Sequence, residues 1–282
     1  MEKTDKMNSD DLSKSIQESV NKDVQYSAGG VDPFLKYIGG KGKIAAILQP
    51  YIPEHKTYIE PFLGSGAMFF RTEPRAQTNV LNDYNGDLVN LFVQLRDNRD
   101  KLIEMVWLTP FSEETHRKIY KAYLSPNWQK LPPIHRALGF YFIMQNAWNE
   151  SVKHLRDPAW KFQTGKAKWT KSICNELFVC SNKLDGVFVL NRHYGELIDN
   201  PNLNKEDSFY YLDPPYSMAG EKGYYKHNFT PSNHHEFALM CKKIVGKFMI
   251  SYDPHPMILE IFKEYNIREV VGFPKEIMIT NY

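Results

Sequence analysis

Short strand-like runs alternate with amphipathic helical ones along most of this 282-residue chain, and that alternation admits few folds. Thr57 to Glu60, Asn79 to Asn82, Val187 to Leu190, Phe209 to Leu212 and Lys247 to Ser251 read as strands. Ile44, Ile47 and Leu48 mark a helix that stops before Pro53, and further helices are predicted over Ala67 to Arg71, Asp87 to Leu95, 232–244 and 256–264. In the third of these, Leu88, Leu91, Phe92 and Leu95 share one face. Strands separated by helices pair in parallel, because each return to the same edge needs a crossover. Two strand-like runs in succession, Ile267 to Val271 and Ile277 to Thr280, predict an antiparallel pair at the end.

The alternation breaks between about 100 and 180. Helical stretches at 113–124 and 134–146 are surrounded there by loops rich in Lys, Trp, Pro and Asn. The expected organisation is a tail over 1–30, a catalytic sheet domain over 31–100 and 181–282, and an inserted domain over 101–180. The overall charge is only +2, yet His116 to Asn175 carries eleven Lys and Arg against two acids, together with Trp128, Trp148, Trp160 and Trp169. Basic residues interleaved with aromatics suit a phosphate backbone; a solvated helical face is the alternative. Cys174, Cys180 and Cys241 have no metal-ligand spacing and read as reduced structural thiols, so no metal is expected. No apolar run approaches the roughly 20 residues of a membrane-spanning helix, and the N-terminus lacks a signal-peptide pattern.

The strand-like run Phe209-Tyr210-Tyr211-Leu212 ends abruptly at Asp213-Pro214-Pro215-Tyr216. Ligands of open α/β sheets bind where strands end. A carboxylate and a free carbonyl accept hydrogen bonds from an amino group, and a ring stacks on a flat base, so the tetrapeptide suits chemistry on the exocyclic amine of a nucleobase. Glu60-Pro61-Phe62-Leu63-Gly64-Ser65-Gly66 follows a strand and opens a helix, and its glycines let backbone amides approach a ligand. A tight structural turn is the alternative. Phe69 stands where a dinucleotide fingerprint has its third glycine, which argues against a nicotinamide dehydrogenase. Asp83 lies roughly 20 residues after the glycines, where an acid bonds ribose hydroxyls; a helix N-cap is its other reading. An adenosine compound without a pyrophosphate follows. Tyr37, Gly39, Gly40 and Lys41 form a third element, able to cover a cofactor and to reach a phosphate or carboxylate.

Taken together these residues resemble the N6-adenine DNA methyltransferases, specifically the DNA adenine methylase (Dam-like) family, over most of 33–282. The matching segments are Tyr37 to Lys41, Glu60 to Gly66, Asn82-Asp83, Asp213 to Tyr216 and the ending Ile279-Thr280-Asn281-Tyr282, in the family's order. The resemblance implies a Rossmann-like methyltransferase sheet with helices on both faces and an inserted helical DNA-recognition domain. It implies S-adenosylmethionine as cofactor, held by Tyr37, Gly39, Gly40, Lys41, Glu60, Phe62, Gly64, Ser65, Gly66, Asp83 and Asp213. Catalysis falls to Asp213, Pro214, Pro215 and Tyr216, acting on an adenine flipped out of double-stranded DNA. Candidate DNA contacts are Asn146, Lys153, Arg156, Lys161, Lys166 and Lys168. The expected setting is the cytoplasm of a bacterial or phage-infected cell, with no membrane and no obligatory protein partner.

His193 stands where the family often has an acid, and Phe162 to Lys166 matches the recognition segment loosely, so a particular target sequence does not follow. An N4-cytosine or RNA amino methyltransferase is an alternative, although the cytosine enzymes more often carry serine in place of Asp213. A non-catalytic DNA-binding protein with the same fold is another.

Overall fold

The computed structural model describes residues 30–37, 41–73, 75–146, 169, 171–215 and 229–282. The tail expected at the N-terminus lies outside them, apart from Gly30.

Alternate burial on two faces builds the sheet. The strands are β1 (Thr57–Glu60), β2 (Thr78–Asn82), β3 (Phe188–Leu190), β4 (Ser208–Leu212), β5 (Lys247–Tyr252), β6 (Asn266–Val270) and β7 (Phe273–Thr280). Tyr58, Leu81, Phe209, Tyr211, Met249 and Met278 face one core, whereas Ile59, Val80, Tyr210, Leu212, Phe248, Ile250, Ile277 and Ile279 face the other. Side chains alternate across a pleated strand, so each strand serves both cores. All five residues of β4 are buried, as a parallel strand covered on both faces requires.

Helices cover both faces. On the first core lie α1 (Gly42–Leu48), α2 (Ala67–Arg71), α3 (Gly86–Asp97), α4 (Arg99–Leu108), α5 (Glu113–Tyr123), α6 (Pro133–Asn146) and α7 (Lys171–Lys183). On the second lie α8 (Tyr194–Ile198), α9 (Pro231–Cys241) and α10 (Pro256–Ile261). Capping fixes several starts: the Asn85 side chain accepts from Asp87 N before α3, Ser112 from Thr115 N before α5, and Thr230 with Asn233 forms a capping box before α9. α9 ends at Cys241 rather than 244, because Lys243 N and Ile244 N turn back to the carbonyls of Met240 and Cys241.

The described residues form one sheet of seven strands in the order β3-β2-β1-β4-β5-β7-β6. β1 to β5 pair in parallel, and β7 runs antiparallel to both β5 and β6. The expected antiparallel pair is therefore present, with the last strand inserted next to β5. Chain direction across the sheet reverses between β1 and β4, so the loops after these two neighbours open a crevice.

The described helices between 101 and 180 share the first core with the sheet: Trp128, Phe140, Tyr141, Met144, Ile173 and Leu177 pack in the cluster that holds Tyr58, Leu81 and Phe92. A buried acid reinforces the join. Asp87, in the first turn of α3 and 3% exposed, accepts from Trp128 Nε1 at 2.9 Å and Gln129 Nε2 at 3.1 Å, with Arg136 Nη1 at 3.6 Å. Trp128 is thus a core residue. Trp169, half-buried, donates to Thr109 O, and Arg117 and Lys118 pair with Glu113 and Glu114 along α5. The basic, tryptophan-rich run is accordingly structural in part. The three cysteines are free and buried. No helix among the described residues is long and apolar enough to cross a membrane.

Asp87→Ala orphans the Trp128 N–H and leaves Arg136 without its buried partner. The expected loss is about 3 kcal/mol, read as a lower urea midpoint with an unchanged denaturant slope.

Candidate active site

The loop after β1 is shaped by two glycines whose backbones turn left-handed, Gly64 at φ 51° and Gly66 at φ 70°. Such φ values strain any residue with a Cβ. At Gly66 a Cβ would also meet Leu63 and Phe70 at 3.2 Å. The loop is tied to the end of β2: Leu63 N donates to Asn82 O at 2.9 Å, and Gly64 N to Asp83 Oδ2 at 3.0 Å. Fully buried Asn82 locks the crossing, donating to Pro61 O and Arg192 O and accepting from Arg192 N.

Asp83 also accepts from Asn85 N at 2.8 Å, but the cap of α3 is Asn85, not Asp83. Its carboxyl is therefore available to the loop, half-buried, with burial raising its pKa against three backbone N–H donors. Tyr37 flanks the same loop, its ring 3.6 Å from where a Cβ of Gly64 would sit and its hydroxyl accepting from Asn85 Nδ2 at 3.2 Å. Ser65 is buried in the turn, and Phe62 packs against Tyr194, Phe229 and Phe237.

Glu60, the last residue of β1, is 2% exposed. Burial pushes its carboxyl up to about 8, with the negative charges of Asp213 and Asp83 adding to the rise and the Tyr58 hydroxyl, donating at 2.8 Å, opposing it. Glu60 thus stands in electrostatic reach of both the ribose-type acid and the Asp-Pro-Pro turn.

Asp213 follows β4 directly. Lys41, immediately before α1, reaches it at 3.4 Å and reaches Glu276 of β7 at 2.9 Å. Burial, the largest influence on Lys41, works against its charge, yet Asp213 and Glu276 outweigh it and raise its pKa. Asp253, just past β5, has an Oδ1 without a hydrogen-bond partner, and burial raises its pKa while His255 and Lys41 draw it down. Pro214 is buried and Pro215 half-buried, so two fixed φ angles hold the turn.

Tyr37, Glu60, Phe62, Gly64, Ser65, Gly66 and Asp83 thus come together, and Lys41 joins Asp213. Gly39, Gly40 and Tyr216, like Lys153, Arg156, Lys161, Lys166 and Lys168, lie outside the described residues. Asn146 ends α6, its amide donating back to Phe142 O. His193 caps α8, accepting from Gly195 N, with the Tyr194 ring tilted against it at 4.3 Å and Tyr84 edge-on at 6.2 Å. Glu276 and Asp253 went unmarked as site residues in the sequence. Lys41, which Glu276 holds, lies 235 positions away.

A doubly wound sheet with a glycine loop, an acid after the next strand and a carboxylate turn at the reversal point is the architecture of a Rossmann-like methyltransferase. The chain belongs to the D12 class N6 adenine-specific DNA methyltransferases, whose family model matches residues 37–273. Membership makes it a transferase that methylates DNA adenine. The Type II methyltransferase M1.LlaDCHI of Lactococcus lactis subsp. cremoris is 27% identical over 278 residues, spanning 89% of this chain and 95% of that protein. The DNA N-6-adenine-methyltransferase of Escherichia phage P1 is 31% identical over 157 residues, 55% of this chain and 20% of its own. The DNA adenine methylase of Escherichia coli (strain K12) is 22% identical over 218 residues, 76% and 77% of the two chains.

The raised pKa of Glu60 gives a test. The folded state releases this proton only near pH 8, whereas the unfolded chain releases it near 4.5. Stability from this group is therefore full below pH 4.5 and declines as pH rises towards 8. Glu60→Gln, fixed in the neutral form, is expected to match the wild type at pH 4 in thermal unfolding and to exceed it increasingly above pH 5. The gain should approach about 5 kcal/mol above pH 8.

Proposed function

We propose that the chain transfers a methyl group from S-adenosylmethionine to N6 of an adenine flipped out of double-stranded DNA. The observation that carries this reading is the adjacency, at one strand-reversal point, of the Gly64–Asp83 loop and the Asp213 turn.

The residues after β1 and β2 suit the cofactor. Asp83 offers acceptor capacity for ribose hydroxyls, since a carboxylate has about four acceptor sites and three backbone N–H groups use part of them. Glu60, held neutral by burial, would ionise beside an ammonium group, as an opposite charge favours the charged form. Tyr37, Phe62 and the glycine backbone enclose the remaining apolar surface, and Gly39, Gly40 and Ser65 belong to the same proposal. When bound, the cofactor supplies an electrophilic methyl group on a sulfonium.

Adenine N6 is a poor nucleophile because its lone pair is delocalised into the ring. The Asp213 carboxylate and the Pro214 carbonyl accept the two N6 hydrogens, which favours a more tetrahedral nitrogen and stabilises the positive charge that develops on it. The fixed φ of Pro214 and Pro215 keeps these acceptors in place before the base arrives. Tyr216 stacks on the extruded ring. The N6 proton is strongly acidic after transfer, so its loss needs no strong base.

The segment 101–180 is assigned to target recognition, inserted into a catalytic domain formed by 31–100 and 181–282. Asn146, Lys153, Arg156, Lys161, Lys166 and Lys168 are its proposed DNA contacts; phosphate contacts there offset the cost of unstacking the base. Asp213 favours adenine over cytosine as the substrate base.

Asp213→Ala is expected to abolish transfer of labelled methyl groups to DNA, by at least about a thousandfold, while circular dichroism and the melting temperature stay close to wild type. Near-normal transfer would remove Asp213 from the reaction. Lys161→Ala combined with Lys166→Ala is expected to weaken DNA binding and to reduce the slope of log K against log salt by about 0.9 for each phosphate no longer neutralised. An unchanged slope would move the DNA surface elsewhere.

A further inference from the structure

We infer that the β6–β7 hairpin is a second DNA-contacting element: its tip, Val271, lodges as an apolar wedge at a base step near the extruded adenine, and Lys275 contacts a phosphate. The inference rests on the proposed delivery of that adenine to the Asp213 turn.

The register of the last strand lifts the hairpin over the catalytic edge. β4 and β5 end at this edge, with Leu212 beside Ile250 and Asp213 one residue further on. β7 runs antiparallel to β5, and the pair nearest the edge joins Tyr252 to Ile277. Glu269 of β6 is level with the same Ile277. From there β6 climbs two residues to Val271, a rise of about 7 Å. β7 uses Glu276, Lys275, Pro274 and Phe273 to cover nearly the same height, because the register shifts until Val270 pairs with Phe273. Irregularities of this kind re-aim side chains next to active sites. Glu276 lies in this stretch, and Lys41 links it, at 2.9 Å, to Asp213, at 3.4 Å. The base of the hairpin is thus fixed to the proposed catalytic turn.

The tip is anchored yet fully presented to solvent. Val270 is 4% exposed and Phe273 packs on the same core, so the hairpin is held up to its last pair. Only Val271 and Gly272 stand beyond it. Gly272 takes φ 78°, the left-handed geometry that suits a two-residue reversal, and a Cβ there would meet nothing within 4 Å. Val271, at 80%, is the most exposed large apolar side chain among the described residues. Turn positions favour Gly, Asn, Asp or Ser, which tolerate the geometry or bond the local backbone. A β-branched apolar residue does neither, and such departures from local preference gather at functional sites. Exposed Pro274 and Lys275 follow the tip. Glu269, the acid of the hairpin, is paired at the level of Ile277 and so lies below it.

Position identifies the partner. A base that reaches Asp213 comes from a duplex lying across the edge where β4 ends. The tip stands two to three strand spacings to the side of β4, roughly 10–14 Å. With a rise of about 3.4 Å per base pair, that places Val271 about three to four base pairs from the target. Apolar side chains inserted between base steps unstack and kink a duplex, and neighbouring cations hold its phosphates.

Val271 and Lys275 are exposed, so their replacement should leave the melting temperature unchanged. On a duplex carrying an adenine that the wild type methylates, Val271→Ser is expected to weaken binding about tenfold. The slope of log K against log salt should stay the same in this variant, since an apolar contact releases no counterion. Val271→Leu should keep wild-type affinity. Lys275→Ala should reduce the slope by about 0.9, and cofactor binding should be unaltered in all three variants. Val271→Cys bearing a photo-crosslinker reads the placement directly, because the three native cysteines are buried. Crosslinks within about four base pairs of the methylated adenine support the assignment. Wild-type affinity in Val271→Ser, an unchanged slope in Lys275→Ala, or crosslinks absent or scattered along the duplex overturn it. None of these readouts needs methyl transfer. Failure of the Asp213 assignment would therefore show in transfer, and failure of the hairpin assignment in binding and crosslinking.

Discussion

The sheet is covered on both faces, and this one constraint locates everything polar in the site. Tyr210 and Leu212 face one core while Phe209 and Tyr211 face the other, so β4 has no side on which a charged group could meet water. Chemistry can emerge only where the strand ends. Asp213 is the first residue past that end, and Pro214 and Pro215 prevent the chain from continuing the ladder. β1 obeys the same rule one residue earlier. Glu60 is still inside the strand, and its carboxyl is accordingly driven towards the neutral form. Reversal of strand order between β1 and β4 then puts these two ends side by side.

Charge is distributed to match. Away from the crevice, the ion pairs of Arg117, Lys118, Lys242, Lys243 and Lys263 are exposed and contribute little. At the strand ends, Lys41, Glu60, Asp83, Asp213, Asp253 and Glu276 gather in largely buried positions. An apolar replacement would make several of these sites more stable. The pKa values of Lys41, Glu60, Asp83 and Asp253 are all raised, and such a concentration is expected where ligand charge has to be met. Asp87 is the exception that tests the rule: it is as buried as any of them, yet its donors Trp128, Gln129 and Arg136 satisfy it internally, and it serves packing.

Local signals in the sequence were reliable and distant ones were absent. Buried parallel strands announce themselves as short apolar runs, and β1, β2, β4 and β5 fall within a residue of where such runs predict them. The glycine loop and Asp83 were legible because their spacing is fixed by one strand–helix–strand unit. α4, α7 and the short α8 were not individually legible. α6, for its part, buries residues from Ala137 to Gln145 on several sides, which blurs the helical period that reveals an amphipathic face. Trp128 shows a different limit. A tryptophan among lysines reads identically whether it faces a phosphate or a core, and what decides it is Asp87, 41 positions earlier. Glu276 is the extreme case, since no pattern along β7 reveals a lysine 235 positions away.

Three residues at the end of β2 show how the glycine loop is held in shape. Asn82 spends its side chain on Pro61, Arg192 and the crossing of two chain segments. Asn85 takes the helix cap, and in doing so relieves Asp83 of a duty its position would otherwise impose. Asp83 is thereby left to hold Gly64 N with one oxygen and Asn85 N with the other. The Asp83 carboxylate is thus oriented by the same hydrogen bonds that set the glycine turn. Preorganisation of this kind lowers the ordering cost of binding. It also ties loop shape to the ionisation of a single acid: protonating Asp83 would weaken its grip on Gly64 N, and under the proposed cofactor role it would weaken the hold on a ribose hydroxyl at the same time.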